Sequence, residues 1–303
     1  MKNKFLLAFL FLVQIAFGQT EKLIRVPGTK CSMTPPNGFI AATTFSGFQH
    51  TELGVSIMIN ELPAPYKELV AGFTAEALAT RGMKLIRKES IDLNNSKATI
   101  FYVTQSANGT DYLKQMLVFG DPKVTVMVNA IYTEYAKEIE PTIKEALLST
   151  VYNAAHDENP LEAASFTVDV KGTDFKITKY MSGSLLYTTD GKIPTEKPTL
   201  IVANSIAKVP IENQKNYAVA RLKKLPGGEQ SIIKEITNVS IDNMNGYQII
   251  ANGKTKENKP ELIYQVMLFN DNGDYYLFVG QTKEEFDKYL GTFKNIAKTF
   301  KRK

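Results

Sequence analysis

The chain carries one cysteine, two histidines and no tryptophan in 303 residues. Each scarcity removes a class of chemistry. A single cysteine makes no internal disulfide, so stability has to come from packing. With Cys31, His50 and His156 as the whole thiol and imidazole supply, zinc held by Cys and His alone is out of reach, and no HExxH is present. There is no GxSxG nucleophile turn, no GxxxxGKS/T loop and no GxGxxG after a strand. LPGGEQ at 225–230 lies between a helix and a strand, the wrong order for a phosphate cradle, and reads as a turn. Strong charge is also missing. The formal +5 includes Lys2 and Lys4, and the only basic cluster, KTFKRK at 298–303, ends a helix, where cations favour the macrodipole. Without a broad basic face, no nucleic-acid partner is expected.

The opening MKNKFLLAFLFLVQIAFGQT has a cationic start, an apolar run from Phe5 to Phe17 and the small-residue pattern Ala16-Phe17-Gly18. It reads as a signal peptide over residues 1–18; a buried N-terminal helix is the alternative. The run is short of the roughly 20 residues that span a membrane, and no later stretch reaches that length, so the chain is expected not to be membrane-spanning. A lipid anchor needs Cys where Gln19 stands. The expectation is an exported protein, periplasmic or secreted.

The remaining residues show one plan twice. SIDLNNSKATI at 90–100 returns as SIDNMNGYQII at 240–250, and QMLVFGDPKVTVMV at 115–128 returns as QVMLFNDNGDYYLF at 265–278, both at an offset of 150. Gln115, Phe119 and Asp121 then match Gln265, Phe269 and Asp271. At the same offset Ala136, Ile139, Ile143, Ala146, Leu147 and Thr150, spaced as one helix face, match Phe286, Tyr289, Phe293, Ile296, Ala297 and Phe300. NAAHDENPLEAA is the natural linker. The domains are therefore 19–153 and 165–303, joined by 154–164.

In the first domain, strands are expected near 30–34, 39–45 and 54–61, a helix over 65–81 stopped at Gly82, strands near 83–92, 97–105, 111–120 and 123–132, and a helix over 134–152. The second repeats this with strands near 166–170, 174–180, 184–188 and 198–205, a helix opening at Pro210, four more strands between 231 and 280, and a helix over 283–299. The repeated SID phrases are turns, in which Asp and Asn bond nearby backbone groups, Asn tolerates positive φ, and Gly246 supplies it freely.

PPNGF at 35–39 leading out of a strand, further strands, a helix, four sequential antiparallel strands and a closing amphipathic helix together resemble the PsbP-like family. NGY at 245–247 is similar to that family's turn glycine, where the first domain has Ser96, and KYMSGSL stands in place of a second Pro-x-Gly-aromatic. The resemblance implies an α+β fold of two tandem α/β/α sandwich domains, each a twisted antiparallel sheet packed by helices. It also implies non-enzymatic binding, assembly or accessory work, and it brings no catalytic residues and no cofactor.

The chemistry-bearing residues read accordingly. Cys31, alternating with Met33, packs as a small hydrophobe, with a reactive thiol as the alternative. His50 falls in a loop-like stretch and His156 in the linker, both facing solvent. Asp92/Asp242 and Asp121/Asp271 are turn formers rather than an acid–base pair. NDNGD at 270–274 lacks the loop length and final Glu of a calcium site, so no metal is expected. Most of the fourteen Tyr and seventeen Phe alternate within strands. Tyr132, Tyr135 and Tyr276, near element ends, are the candidates for an exposed partner-binding patch. The leading expectation is a non-catalytic envelope protein that binds another envelope protein or a small ligand between its domains. The rival is an exported hydrolase whose residues converge only in three dimensions.

Overall fold

A computed structural model describes residues 22–107, 109–206 and 212–303. The expected signal peptide and the helix start at Pro210 lie outside the described residues. The chain begins with β1 (Ile24–Arg25), β2 (Cys31–Met33), β3 (Ile40–Ala41), β4 (Gly47–His50) and β5 (Val55–Leu62). Helices α1 (Tyr66–Gly72) and α2 (Ala75–Ala79) lead to β6 (Met83–Leu93), β7 (Ser96–Ala107), β8 (Thr110–Gly120) and β9 (Thr125–Thr133). A 3-10 turn at Glu134–Ile139, α3 (Glu140–Leu148) and β10 (Val151–Tyr152) follow. The second half runs α4 (Pro160–Ala163), β11 (Phe166–Thr167), β12 (Lys176–Met181), β13 (Ser184–Thr188), β14 (Thr199–Asn204) and α5 (Gln214–Lys223). It ends with β15 (Ile232–Ile241), β16 (Met244–Lys254), β17 (Pro260–Phe269), β18 (Tyr275–Thr282), α6 (Phe286–Lys298) and β19 (Lys301–Arg302).

Two seven-stranded antiparallel sheets dominate this α+β fold, ordered β3-β4-β5-β9-β8-β7-β6 and β12-β13-β14-β18-β17-β16-β15. Counted along the chain, the two orders are the same. Each sheet buries both faces. In the first, Ile100, Leu117, Val128 and Tyr132 pack toward α3 through Ile143 and Leu147, and Phe101, Met116 and Val118 pack toward α1 and α2 through Leu69 and Leu78. In the second, Tyr264, Val266 and Phe278 meet Phe293 and Ile296 of α6, while Ile263, Met267 and Val279 meet Ala218 and Leu222 of α5. Alternation along each strand delivers these opposite faces.

The uniform offset of 150 does not survive. Leu93 pairs with Ser96 and Ile241 with Met244, so the first hairpins lie 148 apart. Their turn residues are Asn94-Asn95 and Asp242-Asn243, with φ of 49°, 62°, 52° and 58°, as a two-residue type I′ turn demands. The repeated letters of SID thus occupy different rungs of their ladders. Ala98 pairs with Phe119 where Gly246 pairs with Leu268, which sets β8 and β17 149 apart, and only β9 and β18 return to 150. A one-residue slip inverts a strand's faces. Gln115 accordingly donates from Nε2 to Glu140 O at the start of α3, whereas Gln265 donates to Ala218 O of α5, on the opposite face of its sheet. Gly246 is no turn residue either. It lies within β16, where a Cβ would stand 1.8 Å from Met267 O.

Other elements differ from expectation for local reasons. The 65–81 helix is broken because the Thr74 hydroxyl accepts from Ala77 N, an N-cap that starts a new helix. The 134–152 helix begins as a 3-10 turn, is reset as α3 with Pro141 in its first turn, and gives way to β10. His50 belongs to strand β4 and is half-buried, its Nδ1 accepting from Leu53 N. It packs on PPNGF, edge to face with Phe39, and its Nε2 would meet a Cβ at Gly38 at 2.8 Å. In the linker, which forms α4, His156 Nδ1 is buried with no partner among the described residues rather than solvated.

The β12–β13 hairpin of the second sheet packs on the β4–β5 side of the first. Ser182 donates from N and Oγ to Asn60 Oδ1, and Tyr180 Oη and Asn204 Nδ2 both donate to Thr44 O. At its centre Lys179 Nζ lies 3.5 Å from Glu61 and 3.4 Å from Glu158. Burial pushes the Glu158 carboxyl above its usual value, Lys179 opposes the rise, and Glu61 adds to it. A raised folded-state value means that folding takes up a proton, so this contribution is present below the ordinary 4.5 and is lost as pH rises through the folded value. Glu158→Gln is therefore expected to melt higher than the parent above about pH 5 and to converge with it in acid, as read from melting temperature against pH.

Candidate functional site

Pairing across the first sheet aligns one row of side chains on the face that carries α1 and α2: Gln49, Ser56, Ile131, Lys114, Val103 and Leu85. Lys114 stands in the middle of this row, flanked by Ile131 and Val103. A lysine between two apolar neighbours is the informative kind of exception, because charged groups seldom leave water without a partner. Its Nζ donates to Gln105 Oε1 at 2.5 Å, a neutral acceptor. It makes no salt bridge to any described carboxylate, and burial lowers its pKa.

The corresponding row of the second sheet runs Thr188, Thr199, Gln281, Ile263, Ala251 and Ile233, with Ile263 where the first sheet has Lys114. That row is roofed. Eight residues, 224–231, connect α5 to β15, and Pro226 O in this connection accepts from Gln281 Nε2. A Cβ on Gly253 beneath it would stand 2.8 Å from Gly227 O and 2.7 Å from Ile263 Cδ1. In the first sheet only three residues, 80–82, connect α2 to β6. Val103 and Leu85 at one end of the row lie under α1 and α2, but the shorter connection puts no such roof, among the described residues, over Gln49, Ser56, Ile131 and Lys114, and a cleft of about 610 Å³ stands there. Phe45, Val55, Ile131 and Ile206 give it apolar walls; Ser56, Gln105, Tyr112 and Lys114 give it polar points. Ile206, just after β14, is contributed by the second half of the chain, so the cleft lies between the halves. This size and mixture are those of small-molecule sites.

No protein-family model and no curated protein matches the chain. Among solved structures it is similar to LpqN, involved in cell envelope biogenesis of Mycobacterium tuberculosis, at 17% identity over 45% of this chain and 83% of that one, TM-score 0.35. It is similar to cyanobacterial PsbP (CyanoP) from Synechocystis sp. PCC 6803 at 13% identity over 50% of this chain and 100% of that one, TM-score 0.31. It is also similar to the type VI secretion immunity protein TplEi from Pseudomonas aeruginosa at 12% identity over 92% and 97%, TM-score 0.34. At these scores none of the three bears on function, and the cleft has to be read from its own chemistry.

The structure separates the three tyrosines read as a partner patch. Tyr132 is 2% exposed, its hydroxyl accepts from Gln115 Nε2, and burial pushes its pKa up to about 12, so it offers no surface to a partner. Its place in β9, facing α3, accounts for this. Tyr135 is 82% exposed on the 3-10 turn, and Tyr276 is half-buried between Phe166 and Phe300. Cys31 is fully buried, with burial and the neighbouring Glu61 raising its pKa, which holds it as a thiol that donates to Glu61 Oε1. Asp121 is the turn former expected, accepting from Lys123 N and Val124 N. Asp242 lies in the β15–β16 turn as expected and also accepts from Arg302, which holds its carboxyl below the usual range. Lys114 was missed by sequence reading. The signal was present as Tyr112-Lys114-Met116-Val118, a lysine in phase with the apolar residues of its strand.

Proposed function

We propose that the chain is a non-catalytic binding protein of the cell envelope, built from two diverged copies of one PsbP-like α/β/α sandwich, 19–153 and 165–303, joined by 154–164. Its ligand occupies the cleft between the first sheet and Ile206. The observation that carries this reading is the contrast between the two rows: one roofed over Ile263, the other left open around Lys114. The uncovered part of the row brings Ile131 together with Gln49, Ser56 and Lys114, and a ligand that binds there only in the folded chain stabilises it by mass action. No side chain of the cleft pairs a nucleophile with a base among the described residues; its one imidazole, His50, already uses Nδ1 to accept from Leu53 N.

A fragment library observed by protein NMR tests the reading. Hits are expected to shift the amides of Ser56, Tyr112 and Ile131 together, and Ser56→Phe, which fills the cleft from β5, is expected to weaken them at least tenfold. Ile206→Asp, outside the sheets, provides a second block with no core packing at stake. Hits scattered over the surface and indifferent to both variants would overturn it.

A further inference from the structure

We propose that the cleft takes an amphiphile with a single anionic head, a carboxylate or phosphate monoester, seated on the Lys114 ammonium with its apolar body along Phe45, Ile131 and Ile206. This rests on the binding reading above and adds the ligand's chemistry.

Charge gives the head. Among the described residues the cleft lining holds no carboxylate, and its only other basic group is His50, so the charge these residues bring is positive. The nearest acid along β8, Asp111, accepts from Ser106 Oγ and alternates onto the other face of the strand. Gln105 cannot serve as a counter-ion, because its amide oxygen is neutral and its Nε2 is committed to Arg81 O. A cation drawn partly out of water and held by one neutral acceptor gains most from an incoming anion, since the charge-assisted hydrogen bond forms in a low-dielectric setting. Tyr112, Ser56 and Gln49 supply neutral donors around it. Shape gives the tail: the walls beyond Lys114 are aromatic and aliphatic, and the space is that of a medium-sized molecule rather than a bare ion. The alternative use of Lys114, a side chain that merely snorkels from between Ile131 and Val103, requires no preference for charge in the ligand.

Decanoate, decyl phosphate and decanol, titrated calorimetrically into the full chain below their self-association concentrations, separate these readings. Both anions are expected to bind at least tenfold more tightly than the alcohol, and the stronger of the two identifies the head. Lys114→Met should remove that preference, so that acid, phosphate and alcohol bind alike, and Lys114→Arg should retain it. Equal binding of acid, phosphate and alcohol, or undiminished anion binding by Lys114→Met, would overturn the inference while the cleft remains a binding site. Failure of all three probes where fragments still bind also overturns it. Failure of probes and fragments together brings down both readings.

Discussion

Replacing Lys179 with methionine is expected to lower the stability of the chain by about 3–5 kcal/mol, the range for removing one partner of a buried ion pair. Glu61 explains the size. Its side chain is 3% exposed, with Oε1 taken up by Lys30 N at 2.5 Å and the Cys31 thiol at 3.6 Å, leaving Lys179 as the cation that compensates its charge. Glu158 stands on the other side of the same ammonium, so the variant leaves two carboxylates facing one another. Urea denaturation near neutral pH measures the loss. The deficit should narrow in acid, as protonation removes the repulsion, and the Glu61→Gln/Lys179→Met double variant should be more stable than Lys179→Met alone. A loss below about 1 kcal/mol would show a pair screened as on an open surface.

Phe293→Ala carries an expected loss of similar size, about 3–5 kcal/mol for a buried aromatic truncated in a closed core. The ring is wholly buried, stacked on Tyr264 at 5.9 Å and 15° and close to Phe175 at 5.7 Å. It lies flat on the backbone of β18: a Cβ at Gly280 would stand 2.6 Å from Phe293 Cγ. Gly280 and Phe293 are thus one packing unit. Gly280→Ala should be destabilising alone and markedly less so in a Phe293→Leu background, where a flexible side chain replaces the flat ring. Additive effects in that double-mutant cycle would refute the contact.

The legible parts of the fold are those decided by neighbours in the chain. The spacing of Ile143, Ala146 and Leu147, and of Phe293, Ile296 and Ala297, specified which face of α3 and α6 is buried, and these residues lie in their cores. Asp121 was readable as a turn residue because its side chain acts within a few residues of backbone, and the Asn-rich bends because Asn tolerates the positive φ they adopt. The break at Thr74 is equally local, but Leu69, Phe73 and Ala77 keep the spacing of one unbroken helix face across it, and that spacing carries no sign of the hydroxyl that caps a new helix.

Register was not legible. Identical letters at one offset suggested equivalent rungs, but β8–β9 is joined by the four residues 121–124 and β17–β18 by the five residues 270–274. One added residue changes which side of a sheet a residue faces without changing the letters around it. Tyr132 was misjudged for a related reason: proximity to the end of a strand does not say whether a helix folds back over that end.

Composition, periodicity and turn chemistry by themselves determined an antiparallel, helix-packed α+β chain with little scope for thiol or metal chemistry, because those properties act over distances of a few residues. Tertiary structure alone decided that Lys114 stands in an open row while Ile263 lies under a roof. That difference comes from the length of a connection more than thirty residues upstream of each, and the sequence around Lys114 carries no record of what covers it.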